Sequence, residues 1–271
     1  MRPAQGRLLH PESVVAIDST MQRTLIPAIA VSLLIFLPSC APGEGPTITA
    51  GTDPVPSGLD FLPKTAEKGT LFRDYQPKAA SAWRNNWTSS FDLTGVSWND
   101  PRCATLIASK YVVMAAHFIR DSHTAVMFHD KNGKTYERYL TEVKSLPGYD
   151  VAVGKLNLPL PPKVKRYRLA TVADATVGRP VIVTDQTSTL SVHRIGMIGG
   201  ASLGLGYIPG LNPIYQRNLI AGDSGHPSFI VKDGDLLLVG THTTGGPGAG
   251  PFYGDPKLQA AIHTAMTEMG N

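Results

Sequence analysis

The sequence predicts an all-β domain that ends in one C-terminal helix, and three observations carry that expectation. There are 27 Gly and 22 Pro, together 49 of the 271 residues, a density that suits short strands and tight turns better than helices. From Trp87 onward, short β-prone segments alternate with turn signals. Only the last stretch has helical spacing: Leu258, Ile262, Ala265 and Met269 fall on one face at steps of 4, 3 and 4 residues. Apolar residues make up 42% of the chain and charged residues 17%, which allows a packed core and argues against disorder.

The elements follow in chain order. From Met21 the chain reads as an export signal: Arg23 supplies positive charge, and positions 25–37 hold 11 apolar residues with Pro27 and Ser32. At about 1.5 Å per residue this run is too short to cross a bilayer core and fits a signal-peptide h-region. Residues 1–20 carry Glu12 and Asp18 ahead of the signal, so translation is expected to start at Met21. Residues 41–63 contain Pro42, Pro46, Pro54, Pro56 and Pro63 and read as an extended tether. Residues 64–86, with Trp83, read as an arm that packs on the domain.

Within the domain, residues 105–107 and 111–115 bracket a turn at Ala108-Ser109-Lys110. Strands are expected at 124–128 and from Thr135 toward Lys144, joined by the turn Lys131-Asn132-Gly133-Lys134, and 151–156 completes this half. A proline bridge at 158–162 and a basic patch at 163–168 lead to a second β-rich half, with strands at 180–184, 190–198, 228–231 and 236–239. Two β-rich halves joined by a proline bridge suggest two barrels, at about 87–158 and 169–255, with the helix at about 256–269. The patch is read as a solvated loop, with an acidic partner or lipid headgroups as the alternative. The net charge of +4 and the absence of a long basic run argue against a nucleic-acid partner. Cys40 and Cys103 are the two cysteines, and neither lies in a CxxC or Cys/His cluster, so no structural metal is expected.

Three segments carry chemistry. Gly222-Asp223-Ser224-Gly225 sets a serine in a glycine-bounded turn, which can expose Oγ and aim successive N–H groups at one point. Ala115-Ala116-His117 puts a histidine at the end of an apolar strand. Asp150-Val151-Ala152 puts a carboxylate at the start of another. Taken singly, each is compatible with an ordinary turn, a satisfied histidine or a capping aspartate.

Together and in this order, these segments resemble the signatures of trypsin-like (chymotrypsin-fold) serine peptidases, across about residues 88–270. The resemblance implies two perpendicular six-stranded antiparallel β-barrels with the site between them. It implies Ser224 as nucleophile, His117 as general base, Asp150 orienting the imidazole, and the N–H groups of Gly222 and Ser224 as the oxyanion hole. No metal or organic cofactor is implied, and the partner is a peptide or protein substrate. Asn218 would lie at the base of the primary pocket, and Thr243, Thr244 and Gly245 would line the substrate backbone. A neutral or small polar side chain before the cut is expected. His242 would either sense an acidic side chain or face elsewhere.

The chain also departs from the family pattern. His226 replaces a glycine, and either packs against the cleft or touches substrate. Phe118 replaces a cysteine, which leaves Cys103 as an expected buried free thiol. Asp223, which in zymogen members pairs with a newly freed N-terminal amine, is expected to have another partner here, a Lys or Arg. Leu37-Pro38-Ser39-Cys40 resembles a bacterial lipobox, which implies a lipid-anchored protein of the cell envelope, acylated at Cys40. Plain secretion with cleavage near Ser39 or Ala41, or a retained anchor, are the alternatives. The expected function is a serine endopeptidase; a catalytically idle, protease-like binding module is the alternative.

Overall fold

The computed structural model describes residues 58–270; the expected signal, lipobox Cys40 and most of the tether lie outside the described residues. The arm carries β1 (Gly69–Thr70), β2 (Phe72–Asp74) and β3 (Ala82–Trp83). Next come β4 (Thr105–Ala108), β5 (Tyr111–Met114), β6 (Ala125–His129), β7 (Thr135–Ser145) and β8 (Ala152–Leu156). They form one antiparallel sheet in the order β4-β5-β8-β7-β6.

After the proline bridge come β9 (Arg168–Leu169), β10 (Pro180–Thr184), β11 (Thr189–Gly199) and β12 (Ser202–Gly206). β13 (Pro227–Lys232), β14 (Asp235–Thr241) and β15 (Ala249–Pro251) complete the strands. This second sheet runs β15-β12-β11-β10-β13-β14-β9, with β1 added on β11. The chain closes with α1 (Pro256–Glu268). The fold is thus mostly β with one C-terminal helix, in sheets of five and eight strands where six and six were expected, with β2 and β3 of the arm forming a separate two-stranded sheet.

Local sequence explains the main elements. β5 is Tyr-Val-Val-Met, buried at every position, as a strand covered on both faces should be. The Asn132-Gly133 turn joins β6 to β7 with Gly133 at φ +80°, and His129 pairs with Thr135 across it. Pro256 opens α1 and the Asp255 carboxylate caps it by accepting the Leu258 N–H at 2.8 Å. The face carrying Leu258, Ile262 and Ala265 is buried, as the spacing predicts.

β9, β12, β15 and the three arm strands were not expected. Three of them are only two residues long, β12 is Ser-Leu-Gly-Leu-Gly and β15 is Ala-Gly-Pro, so they lack the β-branched runs that mark a strand. Their pairing comes from the neighbours they meet. The arm does pack on the domain: the Trp83 indole donates to Asp130 O at 2.8 Å, and Leu71, Phe72 and Trp87 join the cluster that also holds Val113, Phe229 and Leu258. Two cations of the basic patch are paired within the chain, Lys163 on Asp130 at 2.8 Å and Lys165 on Asp235 at 2.5 Å.

Candidate active site

Register places two of the three expected groups together. β5 and β8 are antiparallel neighbours with Met114 opposite Ala152. β5 therefore ends where β8 begins. His117 sits three residues past that point and Asp150 two residues before it, so both fall at one end of the pair. A short 3-10 turn, Ala116–Phe118, then directs the imidazole outward.

The geometry is that of a relay. Asp150 Oδ1 accepts the backbone N–H of His117 at 2.8 Å, and Oδ2 lies 2.6 Å from His117 Nδ1. His117 Nε2 lies 2.9 Å from Ser224 Oγ. The carboxylate favours the tautomer with its proton on Nδ1, which leaves Nε2 as the acceptor facing the serine hydroxyl.

Ser224 arrives on a loop between the second sheet's strands. Gly222 at φ +97° and Gly225 at φ +82° occupy backbone angles that exclude other residues, which accounts for the glycine on each side of the Asp-Ser pair. The Gly225 N–H donates to His242 O at 2.8 Å, and the Asp223 N–H to Ile220 O at 3.0 Å. Among the described residues no acceptor is paired with the N–H of Gly222 or Ser224. Two donors are therefore left beside a nucleophile already aligned with a base.

Asp223 is 1% exposed and needs compensation for burial. The expected Lys or Arg partner is corrected by the structure. Oδ1 accepts the Gln186 N–H at 3.0 Å and Oδ2 the Ile220 N–H at 2.8 Å, so backbone amides supply the donors that a cation would.

His226 packs inward, away from substrate. It is buried, its ring lies 5.8 Å from that of Trp98, and neither ring nitrogen has a partner. Burial, with the Arg120 guanidinium nearby, pushes it down to about 3, so it is neutral. His242 is also buried and pushed down to about 3 by burial, with His226 and His193 adding to the effect. Its Nε2 is 3.4 Å from Ser228 Oγ. A neutral buried imidazole is poorly suited to sensing an acidic side chain. Cys103 is the expected free and buried thiol, pushed up to about 12 by burial.

The residues expected to set specificity lie on both sides of the Leu219–Gly246 pairing. Asn218 is exposed, with its Oδ1 accepting from the Tyr207 hydroxyl. Its neighbour Leu219 is buried and joins Gly246 through N–H to O bonds of 2.7 and 3.0 Å. Its Cδ1 lies 2.8 Å from where a Cβ on Gly248 would stand, so the side chain fills that space. The Thr243 N–H is spent on Ala249 O at 2.8 Å, and Thr244 bridges to Ala249, while Gly245 stays exposed. A cleft of about 310 Å³ opens beside Asp150, lined by Tyr149, Ser202, Leu203, Thr243 and Pro251.

Two supporting groups gave no sequence signal. Arg120 is a fully buried guanidinium that donates to Ser97 Oγ at 2.7 Å, Ala125 O at 2.8 Å and Asn99 Oδ1 at 3.0 Å, which pins the loops behind His117. Gln186 lies behind the serine loop. No family model matches the chain, and no curated protein matches it.

Proposed function

We propose that this protein is a serine endopeptidase of the trypsin-like plan, with its two sheets serving as the two barrels. The observation that carries this reading is the continuous Asp150–His117–Ser224 relay, with bonds of 2.6 and 2.9 Å, beside two unpaired N–H groups. Ser224 Oγ attacks the carbonyl carbon while its proton passes to His117 Nε2. The carbonyl oxygen becomes an oxyanion and accepts from the N–H groups of Gly222 and Ser224. His117 then gives the proton to the departing amine as the C–N bond breaks. A water, deprotonated by the same imidazole, hydrolyses the acyl-enzyme. Asp150 holds the ring and stabilises the imidazolium without taking its proton.

Leu219 in the space beside Gly248, and a neutral His242 behind it, support a preference for a small uncharged side chain before the cut. The cleft between Tyr149 and Pro251 supports recognition further along the acyl side. For the chain N-terminal to the arm, export and a lipid anchor at Cys40 complete the proposal. Mass spectrometry of the mature N-terminus tests that part.

Labelling of the purified protein with a fluorophosphonate tests the enzymatic reading. Ser224 Oγ bonds to phosphorus as fluoride leaves, and labelling is expected to vanish in Ser224→Ala and in His117→Ala. A folded wild-type protein that resists the reagent would leave the binding-module reading in its place.

A further inference from the structure

The serine loop is held from behind by a turn that carries no catalytic motif. Between β10 and β11 the chain reverses through Asp185-Gln186-Thr187-Ser188. Asp185 is 1% exposed, and burial pushes its carboxyl up. Four donors compensate: the Thr187 N–H at 2.7 Å, the Thr187 hydroxyl at 2.6 Å, the Thr189 N–H at 3.3 Å and Arg217 Nη1 at 2.7 Å. A buried carboxylate with this many donors fixes the turn around it. On the outer side β1 straps the same turn, with Thr70 paired to Thr189, Gly69 to Leu190, and the Leu71 N–H donating to Ser188 O at 2.9 Å.

Gln186 therefore stands on a rigid base, and it meets three successive residues before the serine. Its side-chain Nε2 donates to Ala221 O at 2.9 Å. Its amide group lies against Gly222, where a Cβ would come within 2.6 Å of both Oε1 and Nε2. Its backbone N–H donates to Asp223 Oδ1 at 3.0 Å.

The contact with Ala221 O has a consequence for Gly222. The Ala221 C=O and the Gly222 N–H belong to one planar trans peptide and point in opposite directions. A donor that holds the carbonyl on the Gln186 side holds the N–H on the other. With Gly222 at φ +97°, this peptide could rotate at little steric cost if nothing held it.

We propose that Gln186 is a positioning residue: it orients the Ala221–Gly222 peptide so that the Gly222 N–H faces Ser224, and the turn that carries it, braced by Arg217 and β1, does internally what a freed N-terminal amine does in zymogen members of the family the chain resembles. The inference rests on the reading of Ser224 as the nucleophile. It makes the oxyanion hole a product of folding, with no proteolytic activation step.

The test uses the full chain, with Gln186→Glu and Gln186→Met compared with wild type. Glu keeps the size of the side chain and puts an acceptor where the donor was; Met keeps the bulk and removes the donor. Both retain the backbone N–H on Asp223. The rate constant for fluorophosphonate labelling is expected to fall about 10- to 100-fold in both, the range for weakening one oxyanion donor. Thermal midpoints are expected to stay close to wild type, and p-nitrophenyl acetate turnover should lose kcat with KM little changed. In the labelled wild type the Gly222 amide proton should move downfield on donating to the phosphonyl oxygen, and in the variants it should not.

Wild-type rates in both variants overturn the inference while leaving the enzymatic reading intact. An unlabelled, folded wild type overturns that reading and the inference with it. If neither variant folds, the wild-type Gly222 signal still decides: no downfield shift means that its N–H does not face the serine.

Discussion

The two sides of the site are built by different means. On the His117–Asp150 side, adjacent strands of one antiparallel sheet end together, and Met114 opposite Ala152 fixes the separation of the two side chains. On the Ser224 side the loop hangs between strands and takes its shape from distant groups: Gln186 on Asp223 and Ala221, Gly246 on Leu219, and His242 on Gly225. A ladder of backbone bonds transmits position through many redundant contacts. A loop held by a few separate hydrogen bonds depends on each of them, so the serine side is the natural place for this protein to lose or regulate activity.

That comparison can be tested from its largest effect downward. Asp150→Asn keeps the shape of the ladder side but favours the wrong imidazole tautomer. Labelling and esterase turnover are expected to fall about 10⁴-fold with stability nearly unchanged.

Acid should act on the serine side more strongly. His226 and His242 have folded-state values near 3, well below the ordinary histidine value of about 6.5. Between those limits the unfolded chain binds protons that the folded chain does not. Stability is therefore full above about pH 6.5 and declines as pH falls toward 3, by up to about 1.4 kcal/mol per histidine per pH unit. Denaturant titrations across this range check it, and a flat profile would remove the buried neutral histidines from the account. Hydrogen exchange at pH 4 should open the 218–226 loop before β5 and β8; on the ladder side His129 is also lowered by burial.

Arg217→Met removes the cation on buried Asp185. With the Arg217 side chain 28% exposed, the expected loss is about 1–3 kcal/mol by chemical denaturation, accompanied by slower labelling. Leu219→Gly should spare esterase turnover of a small acyl group and widen peptide cleavage toward larger residues before the cut, read with a peptide library. The smallest effect is expected at Lys163, whose side chain is 52% exposed: Lys163→Ala should leave the denaturation midpoint close to wild type and labelling unaffected.

Legibility followed the same division. The Asn132-Gly133 hairpin, the buried run of β5 and the apolar face of α1 could be expected because each depends on residues close together in the chain. β12 and β15 could not, because Ser-Leu-Gly-Leu-Gly and Ala-Gly-Pro become strands only beside β11 and each other. The inward turn of Leu219 and the exposure of Asn218 have a similar cause. Which of two neighbouring residues turns inward is decided by the Leu219–Gly246 pairing, which no local pattern announces.

By itself, the sequence determined the β-rich class, the terminal helix, the order His117, Asp150, Ser224 and the glycines that let the serine turn form. Those depend on propensity, periodicity and permitted backbone angles, all local properties. Only the tertiary structure decided that Asp223 is satisfied by amides, that His226 faces the core, that Leu219 occupies the space beside Gly248, and that Gln186 stands behind Gly222. Apart from the Ile220 amide on Asp223, these are contacts between residues far apart in the chain, and their energy is set by burial and by which donor happens to lie within reach once the sheets have packed.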